Sequence, residues 1–201
     1  MQKQQSYIFV GRYGAGKGTQ ARLLMKVLEE SGERKVLDME TGAGFRKFFQ
    51  NPTYTAAICK KVVEQGLLMP VFMCVYIWGN ILVEKFTGEE HLVFDGTPRK
   101  LLEAQMLEAV FPFYGIEKPW VIYLDVEHEE SMKRLSLRAK ESGRKDDGEE
   151  AIVRRRKAYE EDVIPTIEWY KTNPNVNFLD VDGERSIEEI HADIVKLVGL
   201  K

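Results

Sequence analysis

Five short runs dominated by apolar, β-branched and aromatic residues punctuate the chain, at positions 7–10, 35–39, 91–94, 121–125 and 177–181. Strands with one wet face alternate apolar and polar residues. Apolar residues at consecutive positions instead suit strands covered on both faces, as in a parallel sheet. Each run is followed by a loop and then by helical periodicity, which predicts helices over 17–30, 54–65, 71–85, 101–110, 129–140, 149–172 and 187–198. Strand-helix alternation of this kind is how a parallel sheet is connected, so the expected class is α/β, a doubly wound five-stranded parallel sheet. Two stretches break the alternation: 40–86 carries several helices and no strand, and 139–148 is polar and flanked by glycine. Both are candidates for parts that move over a site. At 201 residues the chain is read as one domain, 1–201, with no internal repeat.

The first strand runs directly into Gly11-Arg-Tyr-Gly-Ala-Gly16-Lys17-Gly18-Thr19, the phosphate-loop spacing of glycine, four residues, glycine and lysine. Glycines let the backbone turn tightly and point N–H groups inward, and the helix expected from Lys17 adds its positive dipole end. Gly14, Ala15, Gly16, Lys17, Gly18 and Thr19 are therefore expected to bind a nucleotide phosphate, with Lys17 reaching the β and γ phosphates. Gly18 stands where such loops usually place Ser or Thr, and the hydroxyl arrives one residue later at Thr19. The third apolar run ends at Asp95, which at the carboxyl end of a strand beside the loop is the expected magnesium-side acid. Phosphoryl transfer proceeds by in-line positioning and by neutralising charge on the transferred oxygens. It therefore calls for cations that are dispersed in sequence but can converge. Arg46, Arg99, Arg138, Arg144 and Arg155 fit that description.

Composition narrows the field. A formal charge of -3 with 30% charged residues gives no general basic surface for a nucleic acid polymer. The longest uncharged run, 66–83, contains Pro70 and leaves thirteen helical residues, about 20 Å of helix against a bilayer core of ~30 Å, so no membrane span is expected. The first ten residues lack the apolar stretch of a secretory signal, and a cytoplasmic setting is expected. Cys59 and Cys74 show no metal-binding spacing and read as buried thiols, without zinc or a disulfide. His91, His128 and His191 read as structural, and the basic run 154–157 as a salt-bridged helix face. Phe72, Tyr76 and Trp78 read as core, with a homo-oligomer contact as the other use of that face; a monomer is expected.

Several linked motifs in order resemble the adenylate kinase family over nearly the whole chain. They are Gly-Ala-Gly-Lys-Gly-Thr-Gln at 14–20, Thr41-Gly42 with Arg46, Gly66-Leu-Leu-Met-Pro70, Asp95-Gly-Thr-Pro-Arg99, Arg138, Gly143-Arg-Lys-Asp-Asp147, Arg155, Tyr159, Pro165 and Tyr170. The resemblance implies a P-loop NTPase-type core with a helical NMP-binding insertion at 40–69, extending at most to 86, and a short zinc-free lid at 138–147. It implies transfer of the γ-phosphoryl of ATP to AMP with Mg²⁺. Thr41, Arg46, Leu67, Met69, Gly96, Arg99 and Glu103 would hold AMP, with Arg46 and Arg99 on its phosphate. Lys17, Arg138, Arg144 and Arg155 would surround the transferring group, Arg144 and Arg155 reaching AMP as well. Arg134 would stack on the ATP base, Arg185 would lie near it, and Asp146 and Asp147 would pair with the arginines as the lid closes.

Three departures concern the acceptor. Ala43 replaces the usual acid after Thr-Gly, Thr97 the usual Phe, and Glu103 the usual adenine-reading Gln. An ionised carboxylate only accepts hydrogen bonds, so Glu103 would also suit cytosine or guanine donors. CMP, UMP or GMP remain alternative acceptors, and a non-catalytic ATP sensor is the reading from another class. The arginine set argues against the sensor, because binding alone does not require so many converging cations.

Overall fold

The computed structural model describes residues 3–32, 34–142 and 149–200. Five parallel strands, β1 (Ser6–Val10), β2 (Val36–Glu40), β3 (His91–Asp95), β4 (Trp120–Asp125) and β5 (Asn177–Asp182), pair in the order β2-β3-β1-β4-β5. Each begins and ends within one residue of the stretch marked by the apolar pattern. The helices are α1 (Lys17–Glu30), α2 (Thr41–Phe48), α3 (Tyr54–Glu64), α4 (Val71–Lys85), α5 (Leu101–Glu108), α6 (Val110–Phe113), α7 (His128–Ser142), α8 (Glu149–Ala158), α9 (Ile164–Thr172) and α10 (Ile187–Leu197).

Alternation along the strands explains the consecutive apolar positions. Ile8, Val10, Leu92, Phe94, Val121 and Tyr123 face a layer formed by Trp78 and Leu82 of α4, Leu107 of α5 and Ile167 and Tyr170 of α9. Tyr7, Phe9, Val93, Ile122 and Leu124 face the opposite layer, formed by Leu24 and Leu28 of α1 and Ile190 and Ile194 of α10. Every position of β1, the central strand, is thus buried on one side or the other. At about 1.5–3 kcal/mol per large apolar side chain this burial is the main stabilising term of the core. The register sets Phe9 of β1 beside Asp95 of β3, which brings the loop after β1 and the end of β3 to one edge of the sheet.

A third core of Phe45, Cys59, Met69, Met73 and Ile77 joins α2, α3 and α4. Helix α2 is not predicted from the sequence, because Thr-Gly-Ala-Gly has poor helix propensity. The reason for the glycine is packing: a Cβ on Gly44 would lie 2.5 Å from Ile77 Cγ2. The same helical region corrects two expectations about α4. Of Phe72, Tyr76 and Trp78 only Trp78 enters the main core, while Phe72 and Tyr76 are 68% and 53% exposed, and Cys74 is half-buried. Burial pushes the Cys59 and Cys74 thiols up, so neither is a ready thiolate.

The single helix expected over 149–172 is interrupted by a π-helical turn, Tyr159–Val163, between α8 and α9. Pro165 is the physical cause: it has no N–H to give the preceding turn, and its ring crowds the carbonyl four residues back. The Thr166 hydroxyl donates to the Asp162 carbonyl at 2.8 Å and takes up part of the interrupted ladder. Likewise the helix expected over 101–110 ends at Glu108 and restarts at Val110. His91 is structural as expected, its Nδ1 accepting from the Gln5 amide at 3.1 Å. Among the described residues no helix is long and apolar enough to cross a membrane.

Gly11 marks where β1 turns into the loop. Its φ is +139°, and a Cβ there would sit 2.7 Å from the Leu124 carbonyl oxygen. Gly11→Ala is expected to cost about 1–3 kcal/mol, lowering the melting temperature by roughly 2–4 °C for each kcal/mol. Thermal unfolding followed by circular dichroism reads this, and an unchanged midpoint would mean the β1–β4 edge adjusts freely.

Candidate active site

The loop 11–16 is shaped by two close approaches. Gly14, at φ +78°, lies where a Cβ would meet the Ser131 carbonyl oxygen at 2.8 Å, and the Ser131 hydroxyl donates to the Tyr13 carbonyl at 2.5 Å. Helix α7 thereby pins the loop from behind. Gly16, at φ +93°, is the N-cap of α1, where neither a side-chain cap nor a first-turn acid is present. The positive end of α1 is left facing the cavity. Lys17 Nζ donates to the carbonyls of Gly11 and Arg12 at 2.8 and 2.7 Å. Burial, with Arg99 adding to it and Asp95 opposing, lowers the Lys17 pKa to about 7; Arg138 and Arg155 push in the same direction as burial. Four cations dispersed in sequence thus converge within electrostatic reach of one another.

This convergence carries a pH prediction. Near pH 8 the free protein holds Lys17 largely neutral, and polyphosphate binding, which favours the charged form, must take up a proton. ATP affinity is expected to fall as pH rises above about 7, with uptake approaching one proton per ATP. Calorimetry at pH 8 in buffers of different ionisation enthalpy measures the uptake, and zero uptake would mean Lys17 is already charged.

Asp95 closes one side. A Cβ on Gly18 would lie 2.8 Å from Asp95 Oδ2, so glycine here leaves room for the carboxylate beside the loop. Glu40 pairs with Asp95 in the β2–β3 register, and Asp38 titrates high because of burial, then Glu40, with Asp95 contributing. The ends of β2 and β3 therefore form a region of negative potential against the cationic loop. Beyond Asp95, Gly96 adopts φ +81°, and Arg99 Nε donates to the Gly96 carbonyl at 2.8 Å. Glu103 is 1% exposed, with one oxygen accepting from the Thr97 hydroxyl and the other from the Arg99 amide at 2.9 Å. Two of the departures noted in the sequence, Thr97 and Glu103, are thus partners of each other, and together they secure the turn that carries Arg99.

A cavity of about 780 Å³ runs along this edge of the sheet. The loop residues Gly14, Ala15, Gly16, Lys17, Gly18 and Thr19 line it, as do Asp95, Gly96, Arg99 and Glu103. Thr41, Arg46, Leu67 and Met69 form the wall contributed by α2 and by the segment before α4. Arg134, Arg138, Arg155 and Arg185 come in from the other side. Arg144, Asp146 and Asp147 lie outside the described residues. Several of these side chains are held by protein partners: Arg46 by Glu40 at 2.6 Å, Arg134 by Glu130 at 2.8 Å, and Arg185 by Asp193 at 2.7 Å. The Thr41 hydroxyl is buried against the cavity and, among the described residues, makes no hydrogen bond.

Sequence reasoning missed Tyr13, Arg22, Glu40, Phe45 and Phe49, which also line the cavity. Glu40 carried a signal, being the last residue of its strand as Asp95 is of β3. Tyr13 lay inside the loop spacing, but the spacing leaves its identity free.

The profile of the adenylate kinase family matches residues 9–175, from within β1 to the loop between α9 and β5 and so across most of the cavity wall. The chain belongs to the adenylate kinase family. It is 32% identical over 191 residues to an adenylate kinase of Phocaeicola vulgatus, covering 95% of this chain and 96% of the relative. It is 33% identical to one of Leptospira biflexa over 191 residues, 95% of this chain and 98% of the relative, and 31% identical to one of Thermus thermophilus over 198 residues, 98% of each. In this chain the Thr97–Glu103 pair holds the turn before α5.

Proposed function

We propose that the chain transfers the γ-phosphoryl group of ATP to AMP, giving two ADP. The observation that carries the reading is the convergence of Lys17, Arg99, Arg138 and Arg155 on one cavity that also holds the phosphate loop and the α2 wall. An oxygen of the AMP phosphate attacks the γ-phosphorus as the bond to the β,γ-bridging oxygen breaks, leaving that bridging oxygen on ADP. No covalent enzyme intermediate is needed, because the barrier falls through alignment and charge neutralisation.

In this reading the loop amides and Lys17 hold the β and γ phosphates, and Arg138, Arg144 and Arg155 surround the transferring group. Arg134 stacks on the ATP base, with Arg185 nearby. Arg99 and Arg46 hold the AMP phosphate, which requires Arg46 to leave Glu40. The unpaired Thr41 hydroxyl, Leu67 and Met69 receive the acceptor's nucleoside, and the Arg144 lid segment excludes water, whose entry would turn transfer into hydrolysis. The strand-end acids fit Mg²⁺, since Asp95 faces the loop and stands beside Glu40 in the β2–β3 register. Asp95 would hold the ion, which would supply neutralisation of the phosphate oxygens.

A coupled assay with ATP and Mg²⁺, offering AMP, CMP, UMP and GMP in turn, tests the proposal. ADP formation with AMP as the preferred acceptor is expected. Preference for another base would move the substrate and keep the mechanism, and no transfer to any acceptor would favour a sensor.

A further inference from the structure

The phosphate loop meets the helix that carries Arg155 through two ring-to-cation contacts that run in opposite senses. The Arg12 guanidinium lies 4.0 Å from the centroid of the Tyr159 ring, and the Arg155 guanidinium lies 4.4 Å from that of Tyr13. Residues 12 and 13 are neighbours in the loop. Residue 155 lies in the last turn of α8, and residue 159 opens the π-helical turn that follows it. Each partner therefore offers one cation and one ring. The Tyr13 ring is shared further, since Arg99 lies 4.6 Å from its centroid.

We propose that Tyr13 is a positioning residue for phosphoryl transfer, the ring of a reciprocal clasp that holds Arg155 and Arg99 over the phosphate loop. Arg99 leaves the sheet after β3, and Arg155 comes from α8, far apart in sequence. Their guanidinium carbons are nevertheless brought within about 9 Å of each other by one ring. Two cations at that separation repel, and the negative face of an aromatic ring attracts both. Tyr13 so keeps the arginines gathered when no phosphate is there to do it, and the Arg12–Tyr159 contact fixes how the helix sits on the loop. Arg155 is 6% exposed, which leaves these contacts largely dehydrated and strengthens them.

The proposal rests on the transfer reading above, and its test is arranged to separate the two. Tyr13→Leu keeps an apolar side chain and removes the ring, whereas Tyr13→Phe keeps the ring. For Tyr13→Leu, kcat is expected to fall about tenfold or more, the scale of two dehydrated cation–π contacts. The KM for ATP should rise by no more than about threefold, well short of the fall in kcat, because the loop amides and Lys17 are untouched. Tyr13→Phe should restore most of kcat. Calorimetric binding of inorganic tripolyphosphate should weaken in Tyr13→Leu and recover in Tyr13→Phe, without any need for turnover. Tyr159→Leu, which removes the other ring, should reproduce the kcat loss and keeps the test open if Tyr13→Leu does not fold. Wild-type kcat and tripolyphosphate affinity in Tyr13→Leu would overturn the proposal, as would Tyr13→Phe being as impaired as Tyr13→Leu. A rise in the ATP KM matching the fall in kcat would also overturn it, since the loop itself would then have been damaged. If the wild-type protein transfers to no monophosphate, the transfer reading fails and the tripolyphosphate series still decides the clasp.

Discussion

Lys17→Met is expected to lower kcat by roughly 10²–10³-fold, the range for removing a preorganised charge from a developing transition state. Methionine has similar length and flexibility, so the loop should keep its shape, and the loss should be one of charge. Two further readouts distinguish this from a folding defect. Proton uptake on ATP binding should disappear, because the group that gains the proton is gone. The pH dependence of stability should also change. With the folded pKa of Lys17 near 7 and the unfolded value near 10.5, the unfolded chain holds more protons between those limits. The free wild-type protein therefore gains stability as pH rises through that window, and below it bears the whole cost of a buried charge. The thioether of the Lys17→Met variant has nothing to titrate, so the slope should flatten and the midpoint at pH 6 should be no lower than that of the wild type. A variant that melts early at pH 6 would show that the hydrogen bonds from Nζ to the Gly11 and Arg12 carbonyls outweigh the burial cost. A variant with near wild-type kcat would remove Lys17 from the transfer step.

Strand positions and the phosphate loop could be read from the sequence because both are set by local pattern. A strand buried on two faces has to be apolar at consecutive positions, and a tight loop feeding a helix has to place its glycines at a fixed spacing. What escaped reading depends on distant residues. Helix α2 is held by Phe45 in the third core, and Gly44 lets its backbone settle on Ile77, a contact over thirty residues away. Phe72 and Tyr76 resemble core residues by type, yet their face of α4 is the one turned away from Trp78 and Leu82. The π-helical turn could have been anticipated from Pro165, which a continuous helical periodicity over 149–172 passed over.

The site divides in the same way. The arginines could be proposed because phosphoryl transfer needs cations, but nothing in their spacing says what holds them in the absence of nucleotide. That information is tertiary: Glu40 for Arg46, Gly96 and Tyr13 for Arg99, Glu130 for Arg134. Glu103 illustrates the point most clearly. Read alone, it is a carboxylate where an adenine-reading amide is usual. In the fold its oxygens are engaged by Thr97 and by the Arg99 amide, so its departure and that at Thr97 are one change with two positions.

Arg99→Lys, which conserves charge, is therefore expected to be damaging, with kcat/KM for AMP falling on the order of 10²-fold. Arginine at this position does three things at once. Its Nε–H donates to the Gly96 carbonyl, its guanidinium lies over the Tyr13 ring, and it lines the cavity where a phosphate would sit. Lysine has one ammonium centre and cannot hold a carbonyl and a ring while presenting a planar fork to phosphate. The loss should fall on the acceptor side, with the ATP KM changed by no more than about threefold, since the loop and Lys17 keep their contacts. Arg46→Lys provides the contrast. Arg46 is largely exposed and, among the described residues, held by an ion pair with Glu40, which a lysine can also make, so its loss should be smaller, about tenfold or less. Steady-state kinetics with AMP varied at saturating ATP, then the reverse, separate these outcomes. Equal losses in the two variants would show that the fixed geometry of Arg99 adds nothing beyond its charge. A loss in Arg99→Lys confined to the ATP KM would move Arg99 to the donor side of the cavity.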